Sequence, residues 1–220
     1  MARLVVFDLD GTLVDSSRDL ASATNAALAR VAPGTPAIPV ETVIGFVGEG
    51  ARLLVERSLR HAGLALEPDD VLPAFFECYS ERLLETTRLY PGMAEALGAL
   101  AAARPRAPIL AVLTNKPGPF SRTILEGLGV ATRFARIWGA GDVAQRKPDP
   151  AGLLQLVAEL GSSPEEAWLV GDSAVDVRTG RAAGVRVAGV AWGLDPAGMR
   201  AAGPDRQLAS PAELAALVAA

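Results

Sequence analysis

The sequence predicts an α/β fold in which a parallel sheet is flanked by helices and a helical segment is inserted near the N-terminus. Short apolar runs recur along the chain, and helical segments separate them from the second run onward. A long helical stretch follows the first run. Strands that alternate with helices of this length form a parallel sheet with helices on both faces. We therefore expect a Rossmann-like core with an inserted all-helical cap.

Five apolar runs are the strand candidates, and together they predict a parallel five-stranded sheet. Such continuous apolar runs are typical of strands buried on both faces. The strands are expected at Leu4–Phe7, Ile109–Thr114, Phe134–Gly139, Ala167–Gly171 and Val185–Ala191. Core helices, indicated by their apolar periodicity, are expected at Met93–Ala102, Pro119–Leu128, Pro150–Leu160, Ala174–Ala183 and Pro211–Ala219.

The segment between the first two strands is too long for a simple crossover and has helical spacing throughout. We interpret it as a cap domain inserted after the first strand. The predicted division is a core of residues 1–14 and 88–220 and a cap of residues 15–87. The hinges are expected at Leu13–Ser16 and Thr86–Tyr90.

Composition excludes several classes of site and partner. The chain has 220 residues, half of them apolar, and a formal net charge of −4, which argues against nucleic-acid or anionic-membrane partners. With Cys78 as the one cysteine and His61 as the one histidine, disulfides, multi-thiolate zinc sites and histidine-pair phosphatases are excluded. No apolar run approaches the roughly 18 residues of a membrane span. The N-terminus leads directly into a strand without a signal-peptide pattern, so a cytoplasmic location is expected.

Polar residues follow the strands at the end where ligands bind in open α/β sheets. Asp8 and Asp10 follow the first strand, and residues two apart on a strand point the same way. Thr114 ends the second strand, Lys147 lies in the loop after the third, and Asp172 follows the fourth. Each residue alone has a structural explanation, such as a helix cap for Asp172 or a solvated charge for Lys147. The ordered set favours phosphoryl transfer.

This residue set contains the groups that phosphoryl transfer to a carboxylate requires. Asp8 and Asp172, with the backbone carbonyl of Asp10, are candidate oxygen ligands for Mg²⁺. Lys147 would offset the charge of a phosphate, and Thr114 would donate a hydrogen bond to it. Because no cysteine or histidine is suitably placed, an aspartate is the best available nucleophile.

Four segments resemble the ordered motifs of the haloacid dehalogenase (HAD) superfamily, and the resemblance covers essentially the whole chain. The segments are Asp8–Asp15, Thr114-Asn115, Lys147-Pro148 and Gly171–Asp176. The resemblance implies an aspartyl-phosphate mechanism with Mg²⁺. It implies that Asp8 is the nucleophile and that Asp10 is the general acid and base. Thr114 and Asn115 would donate hydrogen bonds to the phosphate, and Lys147 would orient Asp8. The implied metal site consists of Asp8, Asp10, Asp172 and Asp176.

Within the superfamily, the sequence is most similar to the phosphoglycolate phosphatase-like branch. The similarity rests on Thr114–Pro117, Val47–Gly50 and Leu89–Gly92. Dehalogenases lack an acid at the Asp10 position, and phosphonoacetaldehyde hydrolases need a cap lysine that this chain does not have. The resemblance therefore implies a phosphomonoesterase for a small phosphorylated metabolite, 2-phosphoglycolate first, in a monomer or homodimer. The candidate substrate-binding residues are Thr12, Asn115, Arg52 and Lys116.

Two alternatives remain open at the level of sequence. One is another small-phosphate enzyme with the same core: a pyrophosphatase, a sugar phosphatase or a β-phosphoglucomutase. The other is a non-enzymatic receiver module that signals through a phosphorylated aspartate. A receiver also has acids, a threonine and a lysine at strand ends, but it needs no cap and orders its motifs differently.

Overall fold

A six-stranded parallel sheet forms the centre of the computed structural model, which describes residues 3–104 and 107–218. The order of its strands is β5-β4-β1-β6-β7-β8, and β2 and β3 form a separate antiparallel pair. The strands are β1 Leu4–Phe7, β2 Val14–Asp15, β3 Arg88–Leu89, β4 Ile109–Pro117, β5 Arg136–Ala140, β6 Ala167–Gly171, β7 Arg186–Val190 and β8 Arg206–Leu208.

The prediction of five strands was one strand short. The additional strand, β8, pairs with β7 at the edge of the sheet. Only Leu208 of its three residues is buried, so the apolar run that reveals a buried strand is missing. The predicted C-terminal helix is also different, because Pro211–Leu217 forms a 3₁₀ helix and its predicted end, Ala219, lies outside the described residues.

Helices cover both faces of the sheet, and the five core strands predicted from sequence are confirmed to within a few residues at each end. The helix between β7 and β8 was not predicted. The α-helices of the described residues are α1 Ser17–Val31, α2 Val40–Ile44, α3 Ala51–His61, α4 Pro68–Ser80, α5 Met93–Ala101, α6 Gly118–Gly127, α7 Ala151–Glu159, α8 Ala174–Ala183 and α9 Pro196–Ala202. In residues 3–104 and 107–218, no helix combines the length and hydropathy that a membrane crossing requires.

The strand register places the chemistry-bearing loops together. β1 lies between β4 and β6, and Phe7 pairs with Val112 on one side and Val170 on the other. All three strands run in the same direction. Their carboxyl ends, and the residues that follow them, therefore meet at one edge of the sheet.

The first four helices lie between the two short strands β2 and β3. α1 packs against α4, and α4 packs against α3. β2 and β3 pair Val14 with Leu89 and Asp15 with Arg88, so the chain leaves and re-enters the sheet region side by side.

The side chain of Asp19 links the start of α1 by hydrogen bonds to the segment that leads into β3. Its carboxylate is almost completely buried and accepts hydrogen bonds from the backbone amides and the hydroxyls of Thr86 and Thr87. Burial alone would raise the pKa of Asp19, but the hydrogen bonds from Thr86 and Thr87 outweigh it and lower the pKa below its usual value. Asp19 is therefore an ionised clamp across the base of the helical segment.

Replacing Asp19 with alanine is expected to destabilise the protein by about 2–4 kcal/mol, because four donors lose their buried acceptor. The free energy of unfolding at pH 7, from urea titration, measures this loss. Asp69→Ala is the matched control, since Asp69 is an exposed carboxylate on α4. Equal stability of the Asp19→Ala and Asp69→Ala variants would contradict the clamp.

Candidate active site

Three buried carboxylates lie together where β1 and β6 end. Oxygens of Asp8, Asp172 and Asp176 all lie within 4.8 Å of one another. Asp8 and Asp172 follow adjacent strands, and Asp176 lies in the first turn of α8, where it forms a capping box with Ser173. A Cβ at Gly11, where φ is +79°, would lie 2.0 Å from Asp172 Oδ2. Glycine at position 11 thus lets the chain after β1 pass close to Asp172.

Lys147 inserts its ammonium between two of these carboxylates. Its Nζ lies 3.0 Å from Asp8 Oδ1 and 2.6 Å from Asp176 Oδ1, and its side chain is almost completely buried. Asp8 Oδ1 also accepts a hydrogen bond of 2.7 Å from the backbone N–H of Leu9. Both of these donors act on Oδ1, so they leave Asp8 Oδ2 for another partner.

The charges of this cluster are unbalanced without a further cation. Burial raises the pKa of Asp8 to about 6, against the opposing effect of Lys147. Burial, and then the carboxylates of Asp176 and Asp8, raise the pKa of Asp172 well above its usual value. Carboxylate oxygens are the ligands that hard divalent cations prefer. The donor set therefore fits a metal ion, which would relieve the repulsion among the three acids.

Asp10 belongs to a second, separate network. Its carboxylate accepts hydrogen bonds from the Ser16 hydroxyl and from Lys116 Nζ, which lies 2.9 Å from Oδ1 and 2.8 Å from Oδ2. Lys116 is almost completely buried, and its ammonium lies 4.6 Å from the centroid of the Tyr79 ring. The two aspartates of the first motif therefore have different partners, Lys147 for Asp8 and Lys116 for Asp10.

Thr114 and Asn115 form the wall between the two networks. Both are buried, and the Thr114 hydroxyl accepts the backbone N–H of Lys116 at 3.3 Å. The Asn115 side-chain amide donates to the carbonyls of Gly48 at 3.0 Å and of Lys147 at 2.8 Å. Asn115 thus ties the core to the turn before α3.

Both aspartates open into one cavity beneath the helical segment. The core contributes its polar wall, and helices α1, α3, α4 and α6 contribute apolar and aromatic side chains. The lining residues are Asp8, Asp10, Leu20, Val47, Gly48, Gly50, Ala51, Leu54, Phe75, Phe76, Tyr79, Thr114, Asn115, Lys116, Pro117 and Phe120.

Two predicted substrate contacts do not reach this cavity. Arg52 lies on the outer face of α3, about half exposed, with its Nε 3.0 Å from Asp69 Oδ1 and its Nη1 3.4 Å from Glu56 Oε2. Its neighbours Ala51 and Leu54 line the cavity, whereas Arg52 lies outside it. Thr12 is completely buried and is not among the residues that line the cavity, and its backbone carbonyl accepts the Trp192 indole N–H at 3.1 Å.

Sequence reasoning missed two residues that the structure brings to the site. Ser16 was considered only as part of a hinge, although a hydroxyl six positions after Asp10 can fold back onto it. Tyr79 lies in the helical segment that the sequence predicts between the first two strands, where helical spacing alone gives its hydroxyl no role. The phenol hydroxyl, a polar group on an otherwise apolar face, was the available signal.

The geometry agrees with comparisons to known proteins. Residues 5–190 match the family model described as haloacid dehalogenase-like hydrolase. The chain belongs to this family. This haloacid dehalogenase-like hydrolase is 44% identical to the phosphoglycolate phosphatase of Rhodospirillum rubrum over 202 residues, which cover 88% of this chain and 81% of that protein. It is 39% identical to phosphoglycolate phosphatase 1 of Pseudomonas aeruginosa over 200 residues, covering 89% and 71% of the two chains.

A solved structure extends the likeness of this hydrolase to three dimensions. The crystal structure of a predicted phosphoglycolate phosphatase from Haemophilus somnus 129PT superposes with a TM-score of 0.91 at 32% identity. The match covers 99% of this chain and 98% of that one. The haloacid dehalogenase-like hydrolase is therefore phosphoglycolate phosphatase-like in sequence and in fold, as the sequence motifs predicted.

Proposed function

We propose that this phosphoric monoester hydrolase cleaves 2-phosphoglycolate to glycolate and phosphate through an aspartyl-phosphate on Asp8. The observation that carries the proposal is the separation of two carboxylates in one cavity. Asp8 lies among Lys147, Asp172 and Asp176, whereas Asp10 lies beside Ser16 and Lys116. This separation supports Asp8 as the nucleophile and Asp10 as the residue that transfers protons.

In the first step, Asp8 Oδ2 attacks phosphorus in line with the ester oxygen. The Oδ2–phosphorus bond forms as the phosphorus–ester bond breaks, and Asp10 donates its proton to the departing oxygen. In the second step, Asp10 accepts a proton from a water molecule that attacks phosphorus. Phosphate leaves, and Asp8 and the proton on Asp10 are restored.

The remaining site residues are proposed to orient Asp8 and to stabilise the negative charge of the phosphoryl group during these steps. Lys147, which contacts Asp8 Oδ1, orients the nucleophile and offsets the charge of the phosphoryl oxygens. Thr114 and Asn115 are proposed to contact the phosphoryl group. Mg²⁺, bound by Asp8 and Asp172 with support from Asp176 and the Asp10 carbonyl, would supply electrostatic stabilisation of the transferring phosphoryl group.

We assign residues 15–87 to a cap and residues 1–14 and 88–220 to the core. Contacts across the proposed boundary support closure of the cap over the cavity. Asn115 donates to the Gly48 carbonyl, and Phe120 of α6 packs against Phe76 and Tyr79 of α4 with centroid distances of 5.9 and 5.5 Å. Closure would exclude bulk water from the reacting groups.

The choice of substrate rests on the named relatives and on the charges of the cavity. Among the described residues that line the cavity, Lys116 is the one cation. A small substrate with a carboxylate beside its phosphoester would offer Lys116 a second anion. The proposed partner is therefore a small phosphorylated acid.

A panel of phosphomonoesters tests the proposed substrate. Initial rates of phosphate release with Mg²⁺ would be measured for 2-phosphoglycolate, pyrophosphate, β-glucose-1-phosphate, a nucleoside monophosphate and p-nitrophenyl phosphate. We expect the highest kcat/KM for 2-phosphoglycolate. A higher value for another ester would overturn the choice of substrate, and a need for a bisphosphate activator would indicate a mutase.

Mg²⁺ is expected to raise the melting temperature more at pH 8 than at pH 5. Burial raises the pKa of Asp8 to about 6 in the folded protein, against about 3.9 in the unfolded chain, and it raises the pKa of Asp172 as well. In the metal-free protein these raised values contribute stability at low pH that is lost as the pH rises through 6. At pH 8 the ionised cluster binds the cation, whereas at pH 5 protons compete with it.

With Mg²⁺ about 100 times above its Kd, the gain at pH 8 is about 2.7 kcal/mol, or roughly 5–10 °C. Thermal unfolding with Mg²⁺ and with EDTA at both pH values measures the difference. Asp172→Asn should remove most of the gain at pH 8. An equal gain at both pH values would contradict the proposed ligand set.

A further inference from the structure

The Tyr79 hydroxyl is buried in the cavity wall without a partner. Tyr79 is 1% exposed, and its hydroxyl has no hydrogen-bond partner within residues 3–104 and 107–218. Removing a hydroxyl from water without a replacement hydrogen bond is costly. Because Tyr79 lines the cavity that Asp8 and Asp10 share, a ligand in that cavity can supply the missing partner.

Neighbouring aromatic rings fix the position of this hydroxyl. The Tyr79 ring stacks on Phe75 at 5.7 Å with an interplanar angle of 11°, and it meets Phe120 edge-on at 5.5 Å. Burial raises the pKa of Tyr79 to about 12, so the hydroxyl keeps its proton at neutral pH and can donate it. The side chain is thus a rigid hydrogen-bond donor on α4.

Lys116 places a positive charge next to this donor. Its ammonium lies 4.6 Å from the Tyr79 ring centroid, and it donates to both carboxylate oxygens of Asp10. A lysine ammonium has three N–H donors, so one remains for another acceptor. A cation and a neutral donor therefore lie side by side, enclosed by apolar side chains.

We propose that the Tyr79 hydroxyl and the Lys116 ammonium form a subsite for the second anionic group of the substrate, a carboxylate. The subsite rests on the proposed function, because it takes Asp10 as the residue that protonates the leaving oxygen. Lys116 contacts Asp10 directly, so an anion bound to Lys116 lies close to that oxygen. The subsite therefore selects esters whose carboxylate is only one or two carbons from the phosphoester oxygen.

Tyr79 then provides the substrate contact from the helical segment that the sequence suggested for Arg52. Arg52 is held on the outer face of α3 by Asp69 and Glu56. The cap then contributes an uncharged donor, and the core contributes the cation. Cap closure brings the two together, so the subsite forms only in the closed enzyme.

Tyr79→Phe tests the subsite, because it removes the hydroxyl and keeps the stacked ring. kcat/KM would be measured for 2-phosphoglycolate and for ethyl phosphate, which has the same two-carbon chain without the carboxylate. We expect kcat/KM for 2-phosphoglycolate to fall by about 10- to 100-fold, the usual loss of a hydrogen bond to a charged group. The value for ethyl phosphate should stay at that of the wild type. Inhibition by the product glycolate should weaken in parallel.

Tyr90→Phe is the control, since Tyr90 is the other tyrosine of the chain and does not line the cavity. Tyr90→Phe should leave kcat/KM for both substrates at the wild-type value. If Tyr79→Phe lowers kcat/KM equally for both substrates, or lowers it for neither, the subsite is overturned. Thermal unfolding of Tyr79→Phe at the wild-type temperature confirms that the variant is folded.

The wild-type rates separate this proposal from the proposed function. If the wild type prefers another short phosphorylated acid, such as 2-phospholactate, the proposed substrate fails and the Tyr79→Phe comparison is made with that acid. If the wild type hydrolyses ethyl phosphate as well as every phosphorylated acid, the subsite is overturned while phosphomonoester hydrolysis stands.

Discussion

Asp8→Asn is expected to abolish phosphate release from every phosphomonoester, lowering kcat by about 10⁴-fold or more. The amide has no negative oxygen with which to attack phosphorus, yet it keeps the size of the side chain. Its oxygen can still accept the hydrogen bonds that Leu9 and Lys147 donate to Asp8 Oδ1. Steady-state rates with saturating Mg²⁺, and acid-quenched labelling of the enzyme with a ³²P-ester, measure the loss.

The control for Asp8→Asn is Asp69→Asn, which makes the same chemical change on the exposed surface of α4. It should leave kcat unchanged. Asp10→Asn provides a second comparison, because it should still form phosphoenzyme from an ester with a good leaving group. Phosphoenzyme in the Asp8→Asn variant would show that another residue is the nucleophile.

Lys147→Met is expected to lower both activity and stability. Burial alone would lower the pKa of Lys147, but Asp176 and Asp8 raise it, so the ammonium stays charged. Removing this charge leaves two buried carboxylates without their cation, at a cost of about 3–5 kcal/mol in the free energy of unfolding. The loss of charge stabilisation at the phosphoryl group is expected to lower kcat by about 10²- to 10³-fold.

Two measurements separate these effects of Lys147→Met. Urea unfolding in EDTA gives the stability, and kcat at saturating Mg²⁺ gives the loss in catalysis. Lys147→Met combined with Asp176→Asn should recover part of the stability, because one unpaired carboxylate is then neutral, but it should not recover kcat. Wild-type kcat in Lys147→Met would contradict the role assigned to Lys147.

The sheet core was predictable because its strands are buried on both faces and carry unbroken apolar runs. β1 and β6 were predicted at their exact bounds. β8 was not, because an edge strand of three residues with two exposed side chains lacks that pattern. The parallel register then accounts for the meeting of Asp8 with Asp172.

The cavity wall was harder to predict because periodicity identifies a helix but not the direction in which each side chain points. Arg52 follows Ala51, which lines the cavity, yet it lies on the opposite side and pairs with Asp69. The ion pair between Lys116 and Asp10 forms because the long lysine side chain extends from the end of β4 to the loop that follows β1. Such distances are not encoded in the spacing of the motifs.

Both lysines of the chain are buried and each bonds to an aspartate of the site. All other cationic side chains apart from the single histidine are arginines. The candidate active site therefore holds both lysine side chains of the chain. Amine-directed crosslinkers and dyes are expected to meet no exposed lysine on the folded protein, and modification of Lys116, which lines the cavity, would report on opening of the cavity.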